Sequence, residues 1–349
     1  MMPVQIGSRT VGPGHPCYVI AEAGVNHGGD PDLAFRLVDA AAAAGADAVK
    51  FQTFKADRVA SPQAAKAAYQ RRATPPDEAQ LDMLRRLELP FEVFAELDAY
   101  CRRLGIQFLS TPFDDESAAF LAQLGIPAFK VASGEITNLP FLRRLAGYGR
   151  PLIISTGMAG LGEVEAAVAA VTEAGCRQLV LLHCVSSYPA DPSDVNLRAL
   201  DTLRAAFGVP VGYSDHTLGT EIALAAVARG ACVLEKHFTL DRDLPGPDHA
   251  ASLEPGQLRD LVAAVRRVEA ALGDGRKRPA ASEVDTAVAA RRSIVALRSI
   301  GRGQVLEEDM VDFRRPGNGL PPAMLPHVLG RRARRDIPAG TLLTLDMLD

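Results

Sequence analysis

From Tyr18 onward the chain alternates between short, continuous apolar runs and longer stretches whose apolar residues recur at helical spacing. The runs at 18–23, 48–53, 106–111, 128–132, 152–155, 179–184, 209–214 and 232–238 predict strands. Helical patterns follow at 31–44, 91–104, 116–124, 139–146, 161–174, 197–207, 220–229 and 255–272. Gly45, Gly105, Gly125, Gly175 and Gly230 stand just past predicted helix ends, where a left-handed C-cap favours glycine. Eight strand-then-helix units argue for an α/β fold of the parallel (β/α)8 barrel type rather than an open sheet.

In such a barrel the working residues sit at the C-terminal ends of the strands. Polar residues cluster at those ends: Glu22, Lys50 with Gln52, Thr111, Lys130 with Ser133 and Glu135, Ser155, Tyr188, Ser214 with His216, and Glu235 with His237. On the last strand Val233, Glu235 and His237 share one face, and Leu234, Lys236 and Phe238 share the other. An acid and an imidazole aimed into one space pack poorly unless that space holds a ligand.

The barrel pattern, 1–272, ends at a Gly-Asp-Gly-Arg-Lys-Arg-Pro stretch, and 273–290 reads as a linker with a short helical run at 282–290. Beyond it lies an internal repeat. Arg298-Ser-Ile-Gly-Arg-Gly-Gln-Val-Leu-Glu-Glu-Asp-Met310 matches Arg335-Asp-Ile-Pro-Ala-Gly-Thr-Leu-Leu-Thr-Leu-Asp-Met347 in one register. The segment 291–349 therefore predicts a compact, mostly β domain, small enough to need a surface to dock on.

Composition narrows the function. A chain that is 48% hydrophobic and 23% charged, with a net charge of −4, gives no electrostatic case for nucleic acid or an anionic membrane surface. No apolar run reaches membrane-spanning length. The N-terminus lacks the charged and apolar regions of a secretory signal. Five scattered cysteines without metal-site spacing read as buried free thiols. These features together predict a cytoplasmic protein.

Lys50 and Lys130, from the second and fourth strands, lie near Ser133, Ser155 and Ser214, a set that suits a small phosphate- or carboxylate-bearing anion. Ion pairs with Glu22 or Glu135 are the plainer reading of either lysine, and a Schiff-base role is also open. His216 and His237, on neighbouring strands beside Asp215 and Glu235, suggest one metal. Two histidines without cysteine argue against a closed zinc site and for an open Mn2+ or Mg2+ site acting as a Lewis acid. Glu22 and Glu135 are candidates for proton handling.

In this order the residues resemble the sialic acid synthase family of phosphoenolpyruvate-dependent nonulosonate synthases. The resemblance is carried by Ile20-Ala-Glu-Ala-Gly-Val-Asn-His-Gly-Gly29, Ala48-Val-Lys-Phe-Gln-Thr53, Ser110-Thr-Pro-Phe113, Lys130-Val-Ala-Ser-Gly-Glu-Ile136 and Ile154-Ser-Thr-Gly-Met158. It continues through His183-Cys-Val-Ser-Ser-Tyr-Pro189, Ser214-Asp-His-Thr217, Glu235-Lys-His-Phe-Thr239 and Gly246-Pro-Asp-His249. The C-terminal segment resembles the antifreeze-like (SAF) module of these enzymes, with Arg315-Pro-Gly-Asn-Gly319 as its signature.

The resemblance implies condensation of phosphoenolpyruvate with the open-chain aldehyde of an N-acetylmannosamine-type sugar. Phosphate would leave by C–O cleavage. It implies that His216 and His237 hold the metal, and that Lys50, Lys130, Ser133, Ser155, Ser186 and Ser214 receive phosphoenolpyruvate. Gln52, Thr111, Tyr188 and Glu235 would contact the sugar, Asp215 would be a further substrate-binding residue, Glu22 and Glu135 would lie beside the reacting carbons, and Glu135 would activate water. It further implies a domain-swapped homodimer in which Arg315 reaches the partner's sugar.

Ser186 departs from an asparagine common in sialic acid synthases, which leaves room for relatives using 2,4-diacetamido-2,4,6-trideoxyhexoses. Gly246-Pro-Asp-His-Ala-Ala-Ser-Leu-Glu254 resembles the sialic and legionaminic branches more than the pseudaminic one. The rivals are a lysine Schiff-base pyruvate lyase, a 3-deoxy sugar acid synthase acting on sugar phosphates, and a non-catalytic sugar-binding protein.

Overall fold

A computed structural model describes residues 1–75 and 77–349, which divide into two compact units, Met1–Gly273 and Asp274–Asp349. The first unit is a closed barrel preceded by a hairpin. The hairpin pairs β1 (Val4–Ile6) with β2 (Arg9–Val11) in antiparallel fashion. The barrel strands are β3 (Tyr18–Gly24), β4 (Ala48–Thr53), β5 (Gln107–Pro112), β6 (Phe129–Val131), β7 (Leu152–Ser155), β8 (Leu179–Cys184), β9 (Val211–Asp215) and β10 (Val233–His237). They pair in parallel in sequence order, and β10 closes on β3.

Every strand that the apolar runs predict is present, with ends shifted by a residue or two. Helices alternate with the strands as expected. The helix expected at 197–207 begins only at Ala199, because Asn196 takes a left-handed backbone (φ 47°) after the separate turn Pro192–Val195. The hairpin escaped the pattern reading because its strands have three residues each, too few for a periodic signal.

Period two along the strands builds the interior in layers. Tyr18, Ile20, Ala48, Leu109, Ile153, Val180, Leu182 and Val233 form one apolar cluster with Val4, Ile6 and Val11, so the hairpin packs with this inner layer. Residues of the opposite parity, such as Val19, Val49, Phe51, Phe108, Leu181 and Leu234, join the larger core under the helices. Two residues beyond the apolar inner layer, the same strands carry Glu22, Lys50, Thr111, Lys130, Ser155, Cys184 and Glu235. The change from apolar to polar along one face places a charged floor on a hydrophobic base.

Between β4 and the helix Phe91–Leu104 the described residues form three short helices, Ala56–Val59, Ala68–Ala73 and Gln80–Leu87, that no sequence pattern singled out.

In the second unit β11 (Ser293–Ala296) pairs antiparallel with β12 (Val311–Arg314), and most other pairing is by isolated bridges. The repeat is a structural one. Ile300 and Ile337, equivalent in the two copies, exchange both backbone hydrogen bonds (2.9 and 2.8 Å). Arg298–Asp309 and Arg335–Asp346 form equivalent ion pairs. Ile294, Ile300, Leu306, Ile337 and Leu343 share one buried core.

Candidate active site

The C-terminal ends of the barrel strands line a cavity of about 450 Å³. Its floor is a cluster of four buried charges. Lys50 Nζ lies 2.6 Å from Glu22 Oε2, 3.8 Å from Glu235 Oε2 and 2.9 Å from Thr111 Oγ1. Lys130 Nζ is 3.5 Å from Glu235 Oε1, which also accepts a hydrogen bond from Ser214 Oγ at 2.8 Å. Two ammonium groups thus face two carboxylates with almost no access to water. Of the plainer ion-pair readings one holds: Glu22 pairs with Lys50, whereas Lys130 pairs with Glu235 and no ion pair with Glu135 is present among the described residues.

The two carboxylates are driven apart in acidity. Burial pushes Glu22 up to about 7, with Glu235 adding to the effect and Lys50 opposing it. Burial also disfavours ionisation of Glu235, but Lys130, Lys50 and the Ser214 hydroxyl outweigh it and hold this carboxyl below its usual range. Burial would depress Lys50, yet Glu22 and Glu235 outweigh it and raise its pKa. Lys130 is lowered, because burial there exceeds the help from Glu235. Carboxyls split this way, one near neutrality and one firmly ionised, are an acid–base pair awaiting a substrate.

Beside the lysines, the lack of a side chain at Gly157 lets its backbone approach three polar side chains closely. Gly157 N donates to Ser133 Oγ at 3.0 Å. A Cβ on Gly157 would collide with Ser186 Oγ, with Cys184 Sγ (2.7 Å) and with Ser133 Oγ (2.8 Å). Ser155 Oγ lines the same cavity, is buried, and has no hydrogen-bond partner. The hydroxyls of Ser133, Ser155 and Ser186, lining the cavity with two ammonium groups, suit an oxyanion.

The histidines meet in the same cavity, both buried, their ring centroids 5.5 Å apart. His216 Nδ1 bonds to Val185 O at 2.7 Å, which sets the tautomer and leaves Nε2 free. His237 Nδ1 is buried without a partner, with Asp248 Oδ2 at 4.0 Å. Burial pushes His216 down to about 4 and His237 well below its usual range, so both are neutral at pH 7. Tyr188 packs against both rings, at 4.1 and 5.6 Å. Among the described residues no group of three or more His, Cys, Asp or Glu is arranged to hold a metal. Two neutral imidazoles, one with an orphaned nitrogen, still fit an open cation site whose remaining ligands come from water and substrate.

Glu22, Lys50, Gln52, Thr111, Lys130, Ser133, Ser155, Ser186, Tyr188, Ser214, Glu235, His216 and His237 all line this cavity. Two expected residues of the barrel do not. Glu135 follows β6 in a single 3-10 turn, where its carboxylate takes a hydrogen bond from Asn138 Nδ2 at 2.8 Å, away from the cavity lining. Asp215 has the outward parity of β9 and pairs with Lys236, so it cannot face a sugar inside the barrel. Arg315 belongs to the second unit.

The cavity also contains residues the strand-end reasoning passed over. Asp248, pushed up to about 6 by burial, comes from the loop after β10. Val59, Tyr69, Gln70, Gln80, Met83, Leu84 and Leu87 come from the three short helices after β4. The available signal was length: residues 54–90 are far too many for an ordinary βα connection, and such excess usually serves a site.

A closed parallel barrel whose strand ends gather a buried lysine–carboxylate floor and a histidine pair defines a barrel enzyme of the synthase type. The chain belongs to the NeuB family, whose sequence profile matches residues 37–277, and a SAF domain matches residues 291–349. It is 46% identical to the N,N'-diacetyllegionaminic acid synthase of Legionella pneumophila over 348 residues, covering 98% of each chain. It is 36% identical to human N-acetylneuraminate-9-phosphate synthase over 349 residues, 98% of this chain and 95% of the human one. The crystal structure of an N-acetylneuraminic acid (sialic acid) synthetase from Leptospira borgpetersenii, in complex with citrate, superposes with a TM-score of 0.72 at 37% identity. That match covers 82% of this chain and 95% of the other.

Proposed function

We propose that this enzyme condenses phosphoenolpyruvate with the open-chain aldehyde of an N-acyl amino sugar, giving a nonulosonic acid and inorganic phosphate. The observation that carries the reading is the pair of buried lysines that share one cavity with the hydroxyls of Ser133, Ser155, Ser186 and Ser214 and with two neutral histidines. Lys50, Lys130, Ser133, Ser155, Ser186 and Ser214 hold phosphoenolpyruvate, and Gln52, Thr111, Tyr188, Glu235 and Asp248 orient the sugar. His216 and His237 hold Mn2+ or Mg2+, which when bound supplies Lewis-acid polarisation of an aldehyde.

The third carbon of phosphoenolpyruvate bonds to the aldehyde carbon as the carbonyl π bond breaks, and the resulting alkoxide oxygen takes a proton from solvent water. Water then bonds to the former enol carbon, and the C–O bond to phosphate breaks. Glu22 takes the proton that the attacking water loses. Its acidity near neutrality and its contact with Lys50 suit it to that exchange, and it takes the place first assigned to Glu135.

The sugar we favour is unphosphorylated and carries apolar substituents, a 2,4-diacetamido-2,4,6-trideoxyhexose before N-acetylmannosamine. Val25, Phe54, Val59, Met83, Leu84, Leu87 and Phe113 line much of the cavity, and among its described lining residues only Lys50 and Lys130 are lysine or arginine. An outer wall of this kind welcomes methyl groups and leaves a sugar phosphate unpaired. The active form we propose is a cytoplasmic, domain-swapped homodimer in which Arg315 serves the partner's site. No helix among the described residues is long and apolar enough to cross a membrane.

The test is release of inorganic phosphate from phosphoenolpyruvate with Mn2+ and a panel of sugars: N-acetylmannosamine, its 6-phosphate and the diacetamido-trideoxy isomers. Phosphate release that requires both sugar and metal supports the proposal. Release with no member of the panel refutes it, and a pyruvate adduct on Lys50 or Lys130 trapped by borohydride would favour the lyase.

A further inference from the structure

The outward faces of β9 and β10, packed beneath the helices, are where a parallel barrel normally places aliphatic side chains. This barrel has an ion pair there instead. Asp215 and Lys236 are cross-strand neighbours, Lys236 Nζ lies 2.7 Å from Asp215 Oδ2, and both side chains are 0% exposed. Asp215 Oδ1 is fully engaged as well, accepting from Tyr213 OH (3.1 Å), Thr217 N (2.9 Å) and Thr217 Oγ1 (2.8 Å). Lys236 Nζ also donates to Thr217 O.

A buried ion pair is a poor source of stability, since desolvation offsets most of its attraction and an apolar pair of similar volume often does better. What this pair can supply is register. Asp215 immediately precedes His216, and Lys236 immediately precedes His237. By strand parity, each charged residue points out of the barrel while its neighbouring histidine points in.

The three bonds to Thr217 fold the chain back across His216, whose carbonyl is held by Ala190 N at 2.9 Å and whose ring is held by Val185 O at 2.7 Å. One cluster outside the barrel therefore sets the backbone at both histidines. A cation site with only two protein ligands depends on their spacing, because no third ligand corrects an error.

We infer that Asp215 and Lys236 are positioning residues that clamp the ends of β9 and β10 so that His216 and His237 meet at one divalent cation. The inference rests on the proposed metal-dependent reading of the site. It also gives Asp215 a role on the face opposite the one the sequence suggested.

The decisive experiment measures Mn2+ affinity of the full-length protein, from the electron paramagnetic resonance of free Mn2+, alongside thermal unfolding. Single variants would leave a buried charge unpaired, so the main variant is the double one, Asp215→Leu with Lys236→Met. The expected result is a Kd for Mn2+ raised about 10- to 100-fold, the range seen when residues behind metal ligands are lost, with Tm unchanged or higher.

Thr217→Val, which keeps the ion pair but removes one bond behind His216, is expected to raise Kd several-fold. A folded double variant with the wild-type Kd overturns the inference, because a purely structural pair would change Tm and not Kd. If the double variant does not fold, a wild-type Kd in Thr217→Val overturns it instead. Wild-type protein that binds no Mn2+ overturns the metal reading of the site itself, a different result from an insensitive variant.

Discussion

The sharpest consequence of the floor geometry concerns Glu22→Gln. Glu22 is 1% exposed, 2.6 Å from Lys50, and close enough to Glu235 to feel its charge. With its pKa near 7, the carboxylate form falls about tenfold for each pH unit below that value, equivalent to about 1.4 kcal/mol per unit. If Glu22 must be ionised to take the proton from water, kcat/KM rises with pH through about 7 and levels above it. At pH 5 it lies about a hundredfold below the plateau.

Glu22→Gln should remove that limb and lower the plateau by about 10²- to 10⁴-fold, the usual range for loss of a general base. The amide keeps the volume, so the loss is not one of packing. Inorganic phosphate release between pH 5 and 9, at saturating Mn2+ and subsaturating phosphoenolpyruvate, reads both effects. A wild-type profile flat between pH 5.5 and 8, or the same limb persisting in Glu22→Gln, would refute the assignment.

Further outcomes follow from the same coordinates. Leu84→Arg places a cation on the half-buried, apolar outer wall of the cavity. It should shift the ratio of kcat/KM toward a 6-phosphorylated sugar by at least about tenfold, or about 1.4 kcal/mol, and an unchanged ratio would mean that this wall does not meet the sugar. Phe51→Ala removes a fully buried ring stacked on Phe108 at 5.9 Å, and urea unfolding should show a loss of about 3–5 kcal/mol. Asp47→Ala removes the acceptor for Val19 N and the partner of Arg9 and Arg266, both at 2.7–2.8 Å. The expected cost is about 3 kcal/mol, and a change below about 1 kcal/mol would show that these ties at the foot of the barrel are idle.

Much of the site could be read from strand parity. Once Val233, Glu235 and His237 are placed on one face, the layer of Glu22, Lys50, Lys130 and Glu235 follows, because every strand repeats the same two-residue step. Parity along a single strand does not say which face is inward, however. That is why Asp215, adjacent to a histidine, reads from the sequence as a substrate-binding residue and lies instead behind the wall. Glu135 is placed differently. It lies just past the end of its strand, where a 3-10 turn replaces the two-residue alternation and carries the carboxylate aside.

The sequence by itself determined the strand–helix alternation, the C-terminal repeat and the charged strand ends, since these depend on local spacing and on the burial preferences of each residue. Only the tertiary structure decided which strand-end residues meet. Closing β10 on β3 brings Glu235 to Lys50 across 185 residues of chain, and the three helices after β4 become a cavity wall only once folded over the strand ends. The opposition of four charges in one dry space, which drives Glu22 toward neutrality and holds Glu235 ionised, is a property of distances in three dimensions. No spacing along the chain encodes it.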